Sequence, residues 1–324
     1  MYKTTELQQI IDSEFQKLYF PKNPAELYQP IEYILSIGGK RIRPLFTVLA
    51  ANLFSEDVQN AINPAIGLEI FHNFTLLHDD IMDKADIRRN KPTVHKKWNE
   101  NVAILSGDAM MIYSYEFFMN LPTEIQISIF KTFNKTAIEV CEGQQFDMNF
   151  ENKMEVSEQE YIKMIELKTS VLIAACFKIG AICGGANEKD AENMYEFGKN
   201  LGLAFQLRDD YLDCFGNTAE FGKQIGGDIV ANKKTYLLIK ALNISDSQTK
   251  AKIIAEINKK DFDRTEKVNT ILEIYQQLNI PQITEKKIEE YYNLAFSYFD
   301  KISVPTERKT PIIEFVNLLK NRKS

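Results

Sequence analysis

Three aspartates fall within five positions of the segment "LLHDDIMDKADIRRNKPTVH" (76–95), and two arginines follow at once. On a helix Asp79 and Asp83 stand four residues apart and Asp80 and Asp83 three apart, so all three carboxylates can converge on one side. An exposed like-charge pair costs only about 0.2–0.5 kcal/mol, so a single such cluster reads as easily as a solvated acidic helix end. A second cluster shifts that balance. "DDYLD" at 209–213 repeats "DDIMD" at 79–83, and each closes an apolar helical stretch, "FHNFTLLH" before the first and "LGLAFQLR" before the second. Apolar flanks predict burial, where two charges 4 Å apart interact by about 4 kcal/mol at an effective dielectric of 20. Buried carboxylates need cations. Oxygen donors without His or Cys at ligand spacing favour a hard ion, and Mg²⁺ commonly takes one or two carboxylates, waters and substrate phosphates. The expected ligand set is Asp79, Asp80, Asp83, Asp209, Asp210 and Asp213.

Basic residues accompany both clusters. Lys84, Arg88, Arg89, Lys91, Lys96 and Lys97 surround His95 directly after the first. Guanidinium groups grip phosphate oxygens in a fork, and neighbouring arginines point in different directions, so Arg88 and Arg89 can serve two separate anions. Standing alone the run would be a solvated basic turn; beside a Mg²⁺ site it predicts a diphosphate. "GGKRIRP" (38–44) adds Lys40 and Arg43 on a segment opened by Gly38 and Gly39, and it is no P-loop, because the GxxxxGK spacing is absent. "GKQIGGDIVANKKTYL" (222–237) places Lys223 and Lys233 after the second cluster, in the same acid-then-base order.

The elements that must hold these residues read as helices. No proline lies between Pro122 and Pro281 and no glycine after Gly227; interior Pro costs a helix about 3 kcal/mol and Gly about 1. Asn-Gly and Asp-Gly hairpin turns and sustained period-two alternation are missing. The pattern predicts helices over about 4–18, 25–37, 42–53, 58–83, 93–99, 101–120, 123–149, 157–183, 188–214, 232–243, 247–258, 262–278 and, with breaks, 284–319. No Pro-, Ser- or Gly-rich linker divides the 324 residues, so one all-α domain over 1–324 is expected, with the two clusters on facing helices around one cavity. A net charge of −6 argues against a general nucleic-acid binder. The four cysteines lack CxxC spacing and read as reduced thiols, which fits the cytoplasm, as does a start without a basic and then apolar leader. "SVLIAACFKIGAICGGA" (170–186) is short for a membrane span and reads as a buried core helix.

Taken in order, "GGKRIRP", "HNFTLLHDDIMDKADIRRNKPTVH", "GQQFD" (143–147), "KTS" (168–170) and "FQLRDDYLD" followed by "GKQIGGDIVANKKT" resemble the trans-polyprenyl diphosphate synthases. The resemblance implies an all-α bundle with a deep central cavity, the isoprenoid synthase fold, and a homodimer that uses three Mg²⁺ ions. It also implies head-to-tail condensation of isopentenyl diphosphate with an allylic diphosphate. By position, Asp79, Asp83 and Asp209 resemble the metal ligands, with Asp80, Asp210 and Asp213 supporting them. Arg88, Lys168, Lys223 and Lys233 resemble contacts to the allylic diphosphate; Lys40, Arg43, His72 and Arg89 resemble the isopentenyl diphosphate site. Thr169, Gln206 and the Lys168 carbonyl resemble the dipoles that face the developing carbocation, and Gln144 and Asp147 line the cavity. Asn90 stands where a glycine is common, and its tolerance of left-handed backbone should preserve the turn. Ala231 stands where an acidic residue is frequent.

In the implied reaction the allylic C–O bond breaks, the isopentenyl double bond attacks the cation, and the departing diphosphate takes the proton. Product then grows down an apolar pocket whose depth sets chain length. Phe74 and, one turn lower, Phe71 lie toward its floor, with small Thr75 beside them; a turn of about 5.4 Å admits about one isoprene unit. A bulky Phe74 resembles short-chain enzymes, and Phe74 with Thr75, rather than two adjacent aromatics, places geranylgeranyl (C20) ahead of farnesyl (C15). The alternatives are a longer-chain synthase, a class I terpene cyclase, an HD-type phosphohydrolase using His78 and Asp79, and a non-catalytic subunit of a heteromeric synthase.

Overall fold

In the computed structural model, residues 1–151, 153, 155–216 and 225–321 are described. Where proline and glycine are scarce the chain is helical. The elements are α1 (Thr4–Gln16), α2 (Ala25–Ser36), α3 (Ile42–Phe54), α4 (Gln59–Met82), the strands β1 (Ile87–Arg88) and β2 (Lys91–Pro92), α5 (Val94–Lys97), α6 (Glu100–Glu116), α7 (Thr123–Glu151) and α8 (Glu158–Ile165). After a π-helical turn, Glu166–Ser170, come α9 (Val171–Cys183), α10 (Glu188–Phe215), α11 (Gly227–Val230), α12 (Tyr236–Ile244), α13 (Ser247–Asn258), α14 (Arg264–Gln277), α15 (Ile280–Phe299) and α16 (Thr306–Lys320). The protein is all-α; the strand content of the described residues is one two-residue ladder.

Two compact units emerge. One comprises Met1–Asn134, Ala175–Met194 and Ser303–Phe315, the other Lys135–Ala174, Tyr195–Ile302 and Val316–Ser324. In the first, α4 packs on α3 and α6 and buries Leu68, Ile70, Phe71 and Leu77 to 1% exposure or less. In the second, Leu237, Leu238 and Ala241 of α12 close on Val268, Ile271, Ile274 and Tyr275 of α14, with Ile229 and Cys214 in the same cluster. The apolar run from Val171 to Phe177 is exposed by no more than 2% anywhere, as a core helix requires. Among the described residues no helix is long and apolar enough to cross a membrane.

Three local features depart from the pattern read above. Ile87 pairs with Pro92 and Arg88 with Lys91 across a two-residue loop in which Arg89 (φ 51°) and Asn90 (φ 60°) are both left-handed. That is the backbone of a type I′ hairpin turn, spelled Arg-Asn rather than Asn-Gly. The expected helix 157–183 is interrupted by the π turn at the "KTS" motif. Helix α15 begins at Ile280, not 284, because Pro281 sits in its first turn, where its missing N–H is no loss.

Candidate active site

Both aspartate clusters occupy the last turns of their helices, α4 and α10. The helix macrodipole is negative there, so each carboxylate is disfavoured by about 0.3–1 kcal/mol and a cation is correspondingly favoured.

In the first unit, Asp80 points inward, its side chain 3% exposed. Arg88 forks onto it, with Nε 2.9 Å from both carboxylate oxygens and Nη2 2.7 Å from Oδ1. Burial pushes the Asp80 carboxyl up, and Arg88 draws it back. Asp79 is half-buried, with its Oδ2 3.9 Å from Arg88 Nη2, and Asp83 caps the helix in the open. The hairpin therefore places its guanidinium beside the cluster. One to two turns down α4, Arg43 Nη1 lies 3.0 Å from His72 Nε2. Burial, then the fields of Arg43, Arg89 and Arg88, hold the His72 pKa well below its ordinary value. The ring is neutral at pH 7 and accepts from Arg43. Beneath it Glu69 is buried, its carboxyl raised by burial and drawn back by Arg43 and Arg89.

The glycine-rich loop meets the hairpin at one point. Gly39 adopts φ 147°, and a Cβ there would lie 2.6 Å from Arg89 Nη1, so only glycine lets the guanidinium settle on this backbone. Arg41, itself left-handed at φ 43°, donates from Nη1 to Asp12 Oδ1 at 2.8 Å and lies 4.5 Å from the Phe15 ring centroid. Lys40 between them is exposed. Lower on α4, the Phe74 ring lies 5.6 Å from Phe71 and 4.8 Å from His78, and Phe71 lies 5.1 Å from Phe133. Thr75 turns its hydroxyl back onto the His72 carbonyl at 2.7 Å.

In the second unit, Asp210 is likewise buried, 5% exposed, but its partners are uncharged. The Tyr161 hydroxyl donates to Oδ2 and Gln206 Nε2 to Oδ1 at 3.1 Å. Gln206 Oε1 in turn accepts from the Thr169 hydroxyl at 3.1 Å. Burial, with Asp228 and Asp209 adding to it, raises the Asp210 carboxyl well above its ordinary value. Asp209 and Asp213 flank it, half-buried; Asp213 accepts from Gly226 N at its carbonyl (2.7 Å) and from Asp228 N at Oδ2 (3.0 Å).

Lys168 and Thr169 lie on the π turn, a device that re-aims a helix locally and recurs at functional sites. Lys168 Nζ lies 2.5 Å from Asp147 Oδ2, and half-buried Gln144 is three residues before Asp147 on α7. Helix α7 approaches the turn through Gly143, where a Cβ would stand 2.6 Å from Lys168 Cα. Lys233 is exposed, its N–H bonded to the Asp228 carbonyl at 2.9 Å. Lys223 lies outside the described residues.

The donor set suits a hard cation bound together with its substrate. In each cluster the middle carboxylate is bonded within the protein, and the carboxylates on either side of it stand one turn apart. Among the described residues no three His, Cys, Asp or Glu side chains gather closely enough to hold an ion unaided. Mg²⁺ suits carboxylate donors of this kind, because it keeps several waters and takes phosphate oxygens.

The polyprenyl synthetase family model matches residues 24–275. The chain belongs to that family. A geranylgeranyl diphosphate synthase of Methanosarcina mazei is 42% identical over 234 residues, 71% of this chain and 72% of that one. A crystal structure of a geranylgeranyl pyrophosphate synthase superposes with a TM-score of 0.95 at 42% identity, covering 100% of both chains. A Caulobacter crescentus polyprenyl synthase, solved with calcium and isoprenyl diphosphate, gives a TM-score of 0.88 at 25% identity over 99% of this chain and 97% of that one. The protein is a short-chain prenyltransferase with the isoprenoid synthase fold.

In this prenyltransferase several site neighbours carry no motif. Glu69 and Tyr161 are buried beside motif residues, and their sequence signal is only an ionisable group in apolar surroundings. Five of the six non-glycine residues with positive φ among those described, Arg41, Lys84, Arg89, Asn90 and Asn232, fall in or next to the motifs, as expected where strain of about 1–3 kcal/mol is held at a functional site.

Proposed function

We propose that the protein condenses isopentenyl diphosphate head to tail with an allylic diphosphate, in a Mg²⁺-dependent reaction that ends at geranylgeranyl diphosphate. The observation that carries the residue assignment is the inward turn of Asp80 and Asp210. Asp80 and Asp210 are held by Arg88 and by Tyr161 and Gln206, and by their position in the motifs Asp79, Asp83 and Asp209 would be the ligands of three Mg²⁺ ions, with Asp80, Asp210 and Asp213 supporting them. When bound, the ions neutralise the allylic diphosphate and act as Lewis acids on it. Arg88, Lys168, Lys223 and Lys233 bind the same group and take up the charge that grows as the C–O bond breaks.

Thr169 and Gln206, locked together by their hydrogen bond, present oriented dipoles to the allylic cation. Lys40, Arg43, Arg89 and His72 hold isopentenyl diphosphate, and neutral His72 takes no charge from the arginine beside it. The buried cluster of Phe71, Phe74 and Phe133 forms the floor of the product pocket. The names of both geranylgeranyl synthases above support C20 over C15. The whole chain acts as one catalytic domain.

A homodimer completes this reading. On α6, Leu105 and Ile112 are 61% and 65% exposed and seven residues apart, Met119 continues the row at 63%, and Ile127 adds 61%. Leu105 and Ile112 share one face of α6, and exposed apolar side chains at helical spacing support a face that a second copy would cover. Four unpaired cysteines, three of them buried, support a cytoplasmic enzyme.

The test is incubation of purified protein with Mg²⁺, labelled isopentenyl diphosphate and, in turn, dimethylallyl, geranyl and farnesyl diphosphates, followed by chain-length analysis. Elongation to C20 is expected, and Phe74→Ala should lengthen the product while costing about 3–5 kcal/mol of stability. Diphosphate release without isopentenyl incorporation would indicate a cyclase or hydrolase, and no turnover a missing subunit.

A further inference from the structure

The segment that carries Lys233 is held from below by α14, which has no part in any motif. Arg264 Nη2 donates to the Ile225 carbonyl at 2.9 Å. A Cβ at Gly226 would lie 2.7 Å from the Val268 methyls, so backbone and helix touch there. The third contact is unusual. Lys267 is 1% exposed, a degree of burial that lysine almost never accepts without a partner. Its Nζ donates to Asn232 Oδ1 at 2.7 Å and lies 4.2 Å from the Phe262 ring centroid. Burial lowers its pKa.

Asn232 is the residue that turns the chain, with φ 54°. Its amide is gripped at both ends, since Nδ2 donates to the Ile257 carbonyl at 3.1 Å. Left-handed backbone is disfavoured for most side chains by about 1–2 kcal/mol and less so for asparagine, and the anchor on both amide atoms holds Asn232 in it. The next residue is Lys233, whose N–H returns to Asp228 and whose carbonyl accepts from Thr235 N at 2.9 Å. Asn232, Lys233, Lys267 and Asp228 line one cavity.

We propose that Lys267 is a positioning residue of the allylic diphosphate site: through Asn232 it fixes the left-handed turn that sets Lys233 against the substrate. This rests on the diphosphate role given to Lys233 above. It also accounts for Ala231, which is exposed beside a turn anchored from the opposite side by a buried ammonium, so the segment keeps its shape without an acidic side chain there.

A double-mutant cycle tests the proposal on the full-length protein. Lys267→Met, Asn232→Gly and the pair are assayed for the KM of geranyl diphosphate and of isopentenyl diphosphate, with melting temperature recorded for each. Lys267→Met should raise the geranyl diphosphate KM about tenfold and leave that for isopentenyl diphosphate within about twofold. In the Asn232→Gly background the same change should do less than about twofold, because glycine enters the left-handed turn without an anchor. Asn232→Ala, which removes the anchor from the other side, should reproduce Lys267→Met even if the latter folds poorly. Equal rises in both KM values, or an undiminished Lys267→Met effect beside Asn232→Gly, would overturn it. Should wild-type protein elongate and neither Lys267→Met nor Asn232→Ala change KM, this inference alone falls; should wild-type protein not elongate, the reaction falls first and takes the inference with it.

Discussion

Asp80 in the first unit faces a guanidinium, while Asp210 in the second faces a phenol and an amide. The two residues hold the same place in the same DDxxD spacing, at the same end of an apolar helix, and both are almost fully buried. What surrounds them sorts the chemistry. The first unit is built of charge. Arg88 on Asp80, Arg43 on His72 and Arg89 over Gly39 gather cations that, in the proposed reaction, would receive diphosphate groups. Around Asp210 the second unit sets neutral donors in series, Thr169 to Gln206, then Gln206 and Tyr161 to Asp210; in the proposed reaction they would face the positive charge that develops on carbon. In the proposed reaction a motif repeated in sequence would thus serve two ends, its inner carboxylate orienting a charge in one place and a dipole in the other.

The outermost substitutions should break the comparison by abolishing the difference. Asp79→Asn and Asp209→Asn each remove a ligand from the diphosphate-bound metal, and kcat/KM should fall about 10²–10³-fold in both, measured by isopentenyl incorporation at saturating Mg²⁺. A loss confined to one cluster would show that the two are not used alike at this level.

Removing one hydroxyl probes the neutral series alone. Tyr161→Phe takes away a donor from Asp210 without altering charge. It should reduce kcat about fivefold with both KM values unchanged, at a stability loss of about 1–3 kcal/mol. A shift in KM instead would place Tyr161 in substrate binding rather than in the orientation of Gln206.

The smallest effect sharpens the charged side. His72 is held neutral in the folded protein well below its ordinary pKa, so below about pH 6.5 the unfolded chain binds a proton that the folded chain refuses. Stability should therefore fall as pH drops through that value, with this group contributing at most about 1.4 kcal/mol per pH unit, and level off once the folded-state pKa is passed. Urea unfolding from pH 7.5 to 5 should show a shallower slope for His72→Gln than for the wild type. Equal slopes would mean that His72 is protonated in the folded state.

Much of this was legible in the chain. The absence of proline between Pro122 and Pro281 marked the long helices, and Asp79, Asp83, Asp209 and Asp213 announced themselves by spacing. Sequence showed which carboxylates cluster, but it could not show that Asp80 and Asp210 turn inward to different partners, because Tyr161 is 49 residues from Asp210 in the chain. The left-handed turn at Asn90 was legible, but the two-residue strands on either side of it were not, because an Arg-Asn turn lacks the glycine that marks a hairpin. The π turn left no trace in residue type; it lies where α7 comes close to the backbone at Gly143. Nothing in residue type sets Lys267 apart, and only packing reveals that it is buried.

The central claim is that one position of one motif orients a cation in the first cluster and dipoles in the second. Steady-state kinetics of Asp80→Asn and Asp210→Asn, measured side by side with geranyl diphosphate varied, test it most directly. Asp80→Asn should raise KM about tenfold with kcat little changed, because Arg88 loses its forked partner; Asp210→Asn should lower kcat about tenfold at constant KM, because an amide cannot accept from both Tyr161 and Gln206. The same kinetic change in both variants would contradict it.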